Sequence, residues 1–282
     1  VADLSSKKEI AIFENAKNDL EEAGLTLKNS MDILEVSMET PSLDDTMPDN
    51  ERLLRAIKKV TGASKVRLPF QVLTKIARVF RESDFEVRCV IRTSDDGDIF
   101  VYDVYPKSED VVIGGLAIDI GTTTVSALLI NMLTGEIIGK ASAGNGQIRY
   151  GADVINRIIE SMKPGGSEKL QKAVIDETIN PLIQQMCRAN GFKPEHIYRM
   201  SIAANTTMNH LMAGMEGDPI RMEPYIPTFY KTNSLFASDI GIDINRDAHI
   251  IIAPNIGSYV GGDITAGALV SMLWNRPEFS LF

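Results

Sequence analysis

Asp119, Gly121, Thr122, Thr123 and Thr124 stand where an apolar strand, Leu116 to Ile120, has to turn back on itself. A buried strand has little reason to end in an acid, a glycine and three hydroxyl residues unless the turn meets something polar. Glycine lets a backbone approach a ligand closely and tolerates positive φ. Consecutive N–H groups form a nest for an anion, and an aspartate orients a magnesium ion through its waters. The chemistry of these five residues is that of a nucleotide phosphate chain with its Mg²⁺, Asp119 being the metal-orienting acid. A Gly-Thr hairpin turn on a buried sheet is the competing reading of the segment alone. No Gly-x4-Gly-Lys-Ser/Thr occurs anywhere, so a P-loop is excluded.

Two further segments offer the same kind of chemistry. Asn205, Thr206 and Thr207 follow a β-rich run from Ile197 to Ala203 and precede an apolar helix expected from Met208 to Met215. They read either as ligand contacts or as a helix cap, for which Asn and Thr are preferred. Gly261, Gly262 and Asp263 open a helix expected over Ile264 to Leu273 and bring backbone N–H groups and a carboxylate to one place, for phosphate or for capping alone. Between these, Arg149 and Asp153 offer a cation and an acid, equally readable as a phosphate contact and a solvated pair. No residue is assigned a catalytic role. His196, His210 and His249 lack metal-ligand spacing.

The elements that must position these residues follow from periodicity. Residues 9 to 23 carry Phe13, Ala16, Leu20 and Ala23 at helical spacing, with Gly24 as a stop. A strand at Ile33 to Met38 leads into a Pro-rich loop. Asp49 is expected to cap a helix with Leu53, Leu54, Ile57 and Val60 on its apolar face, and Pro69 to stand just inside a second. Glu86–Thr93 and Ile99–Tyr105 read as a hairpin closed by Asp95-Asp96-Gly97-Asp98.

Beyond Val111 come three strands, Leu116–Ile120, Val125–Asn131 and Glu136–Ala141. A helix follows at Gly151–Met162, then a long one at Ser167–Ala189 that Pro181 kinks. With the strands at Ile197 and His249 the order is β-β-β-α-β-α-β-α, interrupted by a Pro-rich insertion at Pro219–Pro227. A Rossmann unit would cross over through a helix after its first strand. The order suits the first half of an actin-like (ASKHA) ATPase fold. The fold class is α/β: a linker helix over 1–32, a small α/β middle domain over 33–112, and the N-terminal half of an actin-like ATPase domain over 113–282.

Composition narrows the rest. A length of 282 residues with 44% hydrophobic side chains is enough for two cores, and a net charge of −9 without a basic block argues against nucleic acid. No apolar stretch reaches the roughly 20 residues a membrane helix needs. Cys89 and Cys187 are the only cysteines, too few for a disulfide framework, a zinc site or an iron–sulfur cluster. A reducing cytoplasm is the compartment expected. The absence of an initiator Met and the apolar run ending at Phe282 suggest an excised fragment.

The motifs taken together resemble one family. Thr40-Pro41-Ser42-Leu43, Glu51-Arg52-Leu53-Leu54-Arg55-Ala56, Leu116 through Thr124, Gln147-Ile148-Arg149-Tyr150-Gly151-Ala152-Asp153, Asn205-Thr206-Thr207-Met208, and Pro254-Asn255-Ile256 through Gly261-Gly262-Asp263 occur in this order in the ATP-dependent reductive activators of corrinoid proteins. The resemblance implies an ATP and Mg²⁺ site and a [2Fe–2S] ferredoxin domain ahead of this sequence. It also implies a second phosphate motif beyond Phe282, a homodimer, and a corrinoid protein as partner, restored from Co(II) to Co(I) for methyl transfer. Actin-like kinases carry an acid in the turn occupied here by Thr206, so a small-molecule kinase is the weaker alternative, and a non-catalytic nucleotide-binding module a third.

Overall fold

The computed structural model describes residues 18–25 and 29–278. Most of the helix expected over 9–23 therefore lies outside the described residues, as does the run from Phe279 to Phe282. Residues 18–22 are helical, and Gly24 stops them at φ 83° as expected. The chain divides into two compact units.

The smaller unit, residues 29–114 with 131–135, is a four-stranded sheet in the order β1-β3-β4-β2. Its strands are β1 (Met31–Ser37), β2 (Val66–Arg67), β3 (Glu86–Thr93) and β4 (Ile99–Pro106). β1 and β4 each run antiparallel to β3, whereas β2 runs parallel to β4. Helices α1 (Asp49–Thr61) and α2 (Phe70–Glu82) bury Leu53, Ile57, Val72, Ile76 and Phe80 against Val87, Cys89, Val101 and Val104. Each helix presents its apolar residues at i, i+3 and i+4, which is what puts them on one face.

Two expected caps are corrected here. Pro48 and Pro69, both extended, are the N-caps of α1 and α2. Asp49 is thus the first helical residue, and its carboxylate accepts from Arg81 Nη1 at 2.8 Å instead of capping. The Pro-rich loop is held by the buried Arg52, whose guanidinium donates to Glu39 O, Asp45 Oδ2 and Met47 O.

The larger unit holds a five-stranded sheet in the order β7-β6-β5-β8-β9. Its strands are β5 (Gly114–Ile120), β6 (Thr124–Asn131), β7 (Ile137–Gly144), β8 (Ile197–Ala204) and β9 (His249–Ile252). β7 is antiparallel to β6, and β9 is parallel to β8. One face alternates Leu116, Ile118, Ile120, Val125 and Leu129 into a core. That core is closed by α4 (Gly166–Val174), a π-helical segment Ile175–Ile179 and α5 (Asn180–Ala189). α3 (Val154–Ser161) precedes them, α6 (Thr206–Met212) follows β8, and α7 (Gly262–Val270) follows β9.

The kink expected at Pro181 is a widened turn just ahead of it. Proline has no N–H to give the carbonyl four residues back, and the chain takes up the loss as one π turn. The helix at Gly151–Met162 starts later than expected, because Gly151 is extended and Asp153 is the cap, accepting from Asn156 N at 2.8 Å. Among the described residues no helix is long and apolar enough to cross a membrane.

Candidate functional site

The β5–β6 turn is built from behind. Gly121 O accepts from Asn145 Nδ2 at 2.8 Å, Thr122 O from Arg157 Nη2 at 2.5 Å, and Thr123 O from Asn145 N at 2.8 Å. Gly121 N closes the turn on Thr124 O at 2.9 Å. Every carbonyl from Gly121 to Thr124 is thus engaged. Among the described residues the N–H groups of Thr122 and Thr123 have no hydrogen-bond partner. Donors left open on a segment whose acceptors are all taken are available to an anion.

Gly121 is required by the turn itself, without the positive φ that glycine tolerates. Its φ is not positive; a Cβ there would stand 2.7 Å from Thr124 O, so the turn is too tight for any side chain. Asp119, at the end of β5, reaches solvent. Protein around its carboxyl strips enough water to hold the pKa above the ordinary carboxylate value, and the charge of Asp263 adds to the shift. A cation beside Asp119 and Asp263 would relieve the repulsion that the Asp263 charge exerts on the Asp119 carboxylate.

Asp263 is brought there by close packing of the two glycines before it. A Cβ on Gly261 would lie 2.5 Å from Ala204 O and Thr206 N, and one on Gly262 would lie 2.6 Å from Ala253 O. Gly261 is the N-cap of α7, which begins at Gly262, two residues earlier than expected; it offers no side-chain cap, and its carbonyl accepts from Ile264 N and Thr265 N at 3.2 Å. Asp263 Oδ1 accepts from Ile264 N at 2.8 Å.

The Asn205-Thr206-Thr207 turn contributes backbone shape. α6 begins at Thr206 with Asn205 as its cap, Oδ1 accepting from Met208 N at 2.9 Å. The Thr206 hydroxyl donates to Gly257 O at 2.6 Å, and Thr207 is buried with its Oγ1 unpartnered. His210 fastens the insertion to this helix. Its Nδ1–H donates to Thr206 O at 2.8 Å, and its Nε2 accepts from Thr228 N at 3.0 Å, with the ring stacked on Phe229. Burial holds the His210 imidazole below its ordinary pKa, which suits the neutral tautomer these bonds require.

A cavity of about 710 Å³ opens on the sheet face opposite the core, with Asp119, Lys140 and Ser201 in its lining. Arg149 forms an ion pair with Glu177 and is half exposed, outside this site. The cation behind the turn is Arg157, together with Asn145 and Gln147 of the 3₁₀ turn Gly146–Tyr150 and the residue before it. Sequence reasoning missed all three. The signal was in α3: Ile155 and Ile159 face solvent there while Arg157 is buried, an inversion of the usual helix pattern.

A MgATP ligand fits what these residues offer: open amides, a backbone cradle that a Cβ would fill, and paired carboxylates. An iron–sulfur cluster does not. Cys89 and Cys187 are buried, their thiols pushed up to about 12 and about 11 by burial, and neither supplies a thiolate.

Residues 20–110 match the family model described as RACo linker region, and residues 114–276 the one described as RACo middle region. The corrinoid activation enzyme RamQ of Eubacterium limosum is 31% identical over 168 residues, which is 59% of this chain and 28% of RamQ. A solved reductive activator for corrinoid,iron-sulfur protein superposes with a TM-score of 0.76 at 34% identity, over 90% of this chain and 40% of that one. The chain therefore spans less than half the length of either relative. The α/β architecture with two sheets is the architecture of that solved activator. With the middle-region model alone covering more than half its length, and the linker-region model preceding it in order, this chain belongs to the RACo family.

Proposed function

We propose that the chain carries the first half of the nucleotide site of an ATP-dependent activator that restores a corrinoid protein from Co(II) to Co(I) for methyl transfer. The observation that carries this reading is the β5–β6 turn, whose carbonyls are all tied back and whose Thr122 and Thr123 amides are open beside the Asp119–Asp263 pair. On this reading Thr122 to Thr124 receive the phosphate chain, Asp119 orients Mg²⁺ through water, and Gly261, Gly262 and Asp263 close the other side. Asn205, Thr206 and Thr207 set the backbone against which Gly261 lies.

ATP, when bound, supplies the free-energy difference between two states of the activator, and only unequal affinity for those states can do so. The chain's own residues hold the phosphates and the metal. Residues 33–112 are proposed as the family's small α/β domain and 113–282 as the first half of its ATPase domain, after a linker helix over 1–32. The electron comes from outside this chain, whose cysteines do not suit a cluster. Dimerisation and a cytoplasmic location are part of the same proposal. Phosphorylation of a small molecule is disfavoured because the Thr206 hydroxyl, where a kinase would hold its acid, is committed to Gly257 O.

Two measurements test this. Calorimetric titration of the chain with ATP and Mg²⁺ is expected to give binding that Asp119→Ala removes; equal heats for both proteins would sink the phosphate assignment. In the complete activator, with a reductant and a corrinoid protein, ATP is expected to drive the Co(II) to Co(I) absorbance change, and Asp119→Ala to abolish it.

A further inference from the structure

Among the described residues Arg157 is the largest fully buried side chain, and no carboxylate lies within ion-pair distance of it. Asp153, whose charge acts on it from beyond that distance, is occupied in capping α3. The guanidinium spends its donors on neutral acceptors: Nε to Gly151 O at 2.9 Å, Nη1 to Gln147 Oε1 at 3.3 Å and to Met208 Sδ at 3.2 Å, Nη2 to Thr122 O at 2.5 Å. A buried charge left without a counter-ion is costly. Such a charge is retained where something else supplies the opposite sign.

The peptide carbonyl that Arg157 holds belongs to the same amide as the Thr123 N–H. A donor on the oxygen of an amide pulls electron density from its nitrogen and strengthens the N–H as a donor. Asn145 Nδ2 does the same to the Thr122 N–H through Gly121 O. Asn145 N holds Thr123 O, which belongs to the amide of Thr124.

We propose that Arg157 is the positioning residue of this anion site. It fixes the turn, polarises the Thr123 amide from behind, and finds its missing counter-charge in the phosphate chain that the turn receives. Asn145 is its neutral counterpart on the adjoining peptide. The proposal rests on the phosphate reading of the turn given above.

The experiment measures dissociation constants of MgATP and of inorganic tripolyphosphate for the wild type, Arg157→Met, Arg157→Lys and Asn145→Asp, with thermal melting of each. Arg157→Met is expected to weaken both ligands about tenfold or more, in line with a charge-assisted hydrogen bond. Arg157→Lys, with its charge kept and its fork lost, is expected to recover part of that affinity. Asn145→Asp retains the acceptor for Gln147 N but loses the donor to Gly121 O, so it serves if Arg157→Met does not fold; a loss of the same order is expected.

A MgATP affinity for Arg157→Met within twofold of wild type would overturn the proposal. So would equal losses in Met and Lys that merely track melting temperature, the result for a purely structural arginine. A wild type that binds neither ligand would remove the phosphate reading itself, whereas a binding wild type with an indifferent Arg157→Met removes only the role of Arg157.

Discussion

Two hairpin turns in this chain begin from similar residues and end in opposite states. The β3–β4 turn closes on itself: Ser94 N donates to Asp98 O and Gly97 N to Ser94 O, both at 2.9 Å, and Asp98 N donates to Ser94 Oγ at 3.0 Å. Gly97 supplies the left-handed φ of 79° that such a turn requires. The β5–β6 turn instead gives its carbonyls to Asn145 and Arg157 and keeps the amides of Thr122 and Thr123 open. A polar turn keeps its donors for a ligand when the protein behind it takes the acceptors.

Exchanging the glycines tests that contrast most severely. Gly121→Ala sets a Cβ against a backbone oxygen 2.7 Å away, with only the turn itself to yield. It is expected to cost about 1–3 kcal/mol of stability and to reduce MgATP affinity by about tenfold or more, read by denaturant unfolding and calorimetry. Gly97→Ala meets no atom within 4 Å and bears only the strain of its positive φ. About 1 kcal/mol is expected, with nucleotide binding unchanged; a nucleotide effect there would blur the distinction between the turns.

Removing the charge beside the open turn sharpens the comparison in a second way. The folded pKa of Asp119 lies above its ordinary 3.8, so the folded chain holds that proton longer than the unfolded chain does. Stability then falls as pH rises through the interval between the two values. Asp119→Asn is expected to stabilise the fold at neutral pH by less than about 1 kcal/mol, because the group reaches solvent, and so to raise the melting temperature slightly, while the Mg²⁺ dependence of ATP binding disappears. A lower melting temperature would count against the carboxylate pair.

The hold on a backbone amide is also pH-sensitive or indifferent according to what makes it. Ser94 Oγ keeps Asp98 N at any pH near neutral, whereas His210 Nε2 keeps Thr228 N only while unprotonated. With its folded pKa below the ordinary 6.5, His210 contributes stability that is complete above that value. This contribution is lost as pH falls through the folded value. Hydrogen exchange at Thr228, corrected for intrinsic rates, is expected to accelerate as pH falls through the lowered His210 value, while Asp98 stays protected. The smallest effect is Ser94→Ala, which removes one half-buried hydrogen bond and is expected to cost about 0.5–1 kcal/mol in unfolding experiments without touching ligand affinity.

Much of this was legible in the chain. Alternation placed Leu116 to Ile120 and Val125 to Asn131 correctly because one face of each must be apolar to bury. β2 escaped because Val66–Arg67 is too short to carry a pattern and is fixed only by pairing with β4. Arg157 escaped because an arginine among isoleucines reads as a solvated helix face; only the tertiary placement of Thr122 O turns it inward. Arg149, the more conspicuous of the two, pairs with Glu177 through contacts that its own segment cannot reveal.

The π turn at Ile175–Ile179 sets an angle for the site. Thr178 Oγ1 donates to Ala173 O at 2.7 Å and accepts Gly146 N at 3.0 Å, thirty-two residues earlier in the chain. Gly146 stands next to the Asn145 that grips Gly121. One residue fewer in that segment would restore a regular helix and rotate Thr178 by about 100° away from Gly146. The helical phase of a segment far from the turn in sequence therefore sets the direction in which the open amides of the β5–β6 turn face.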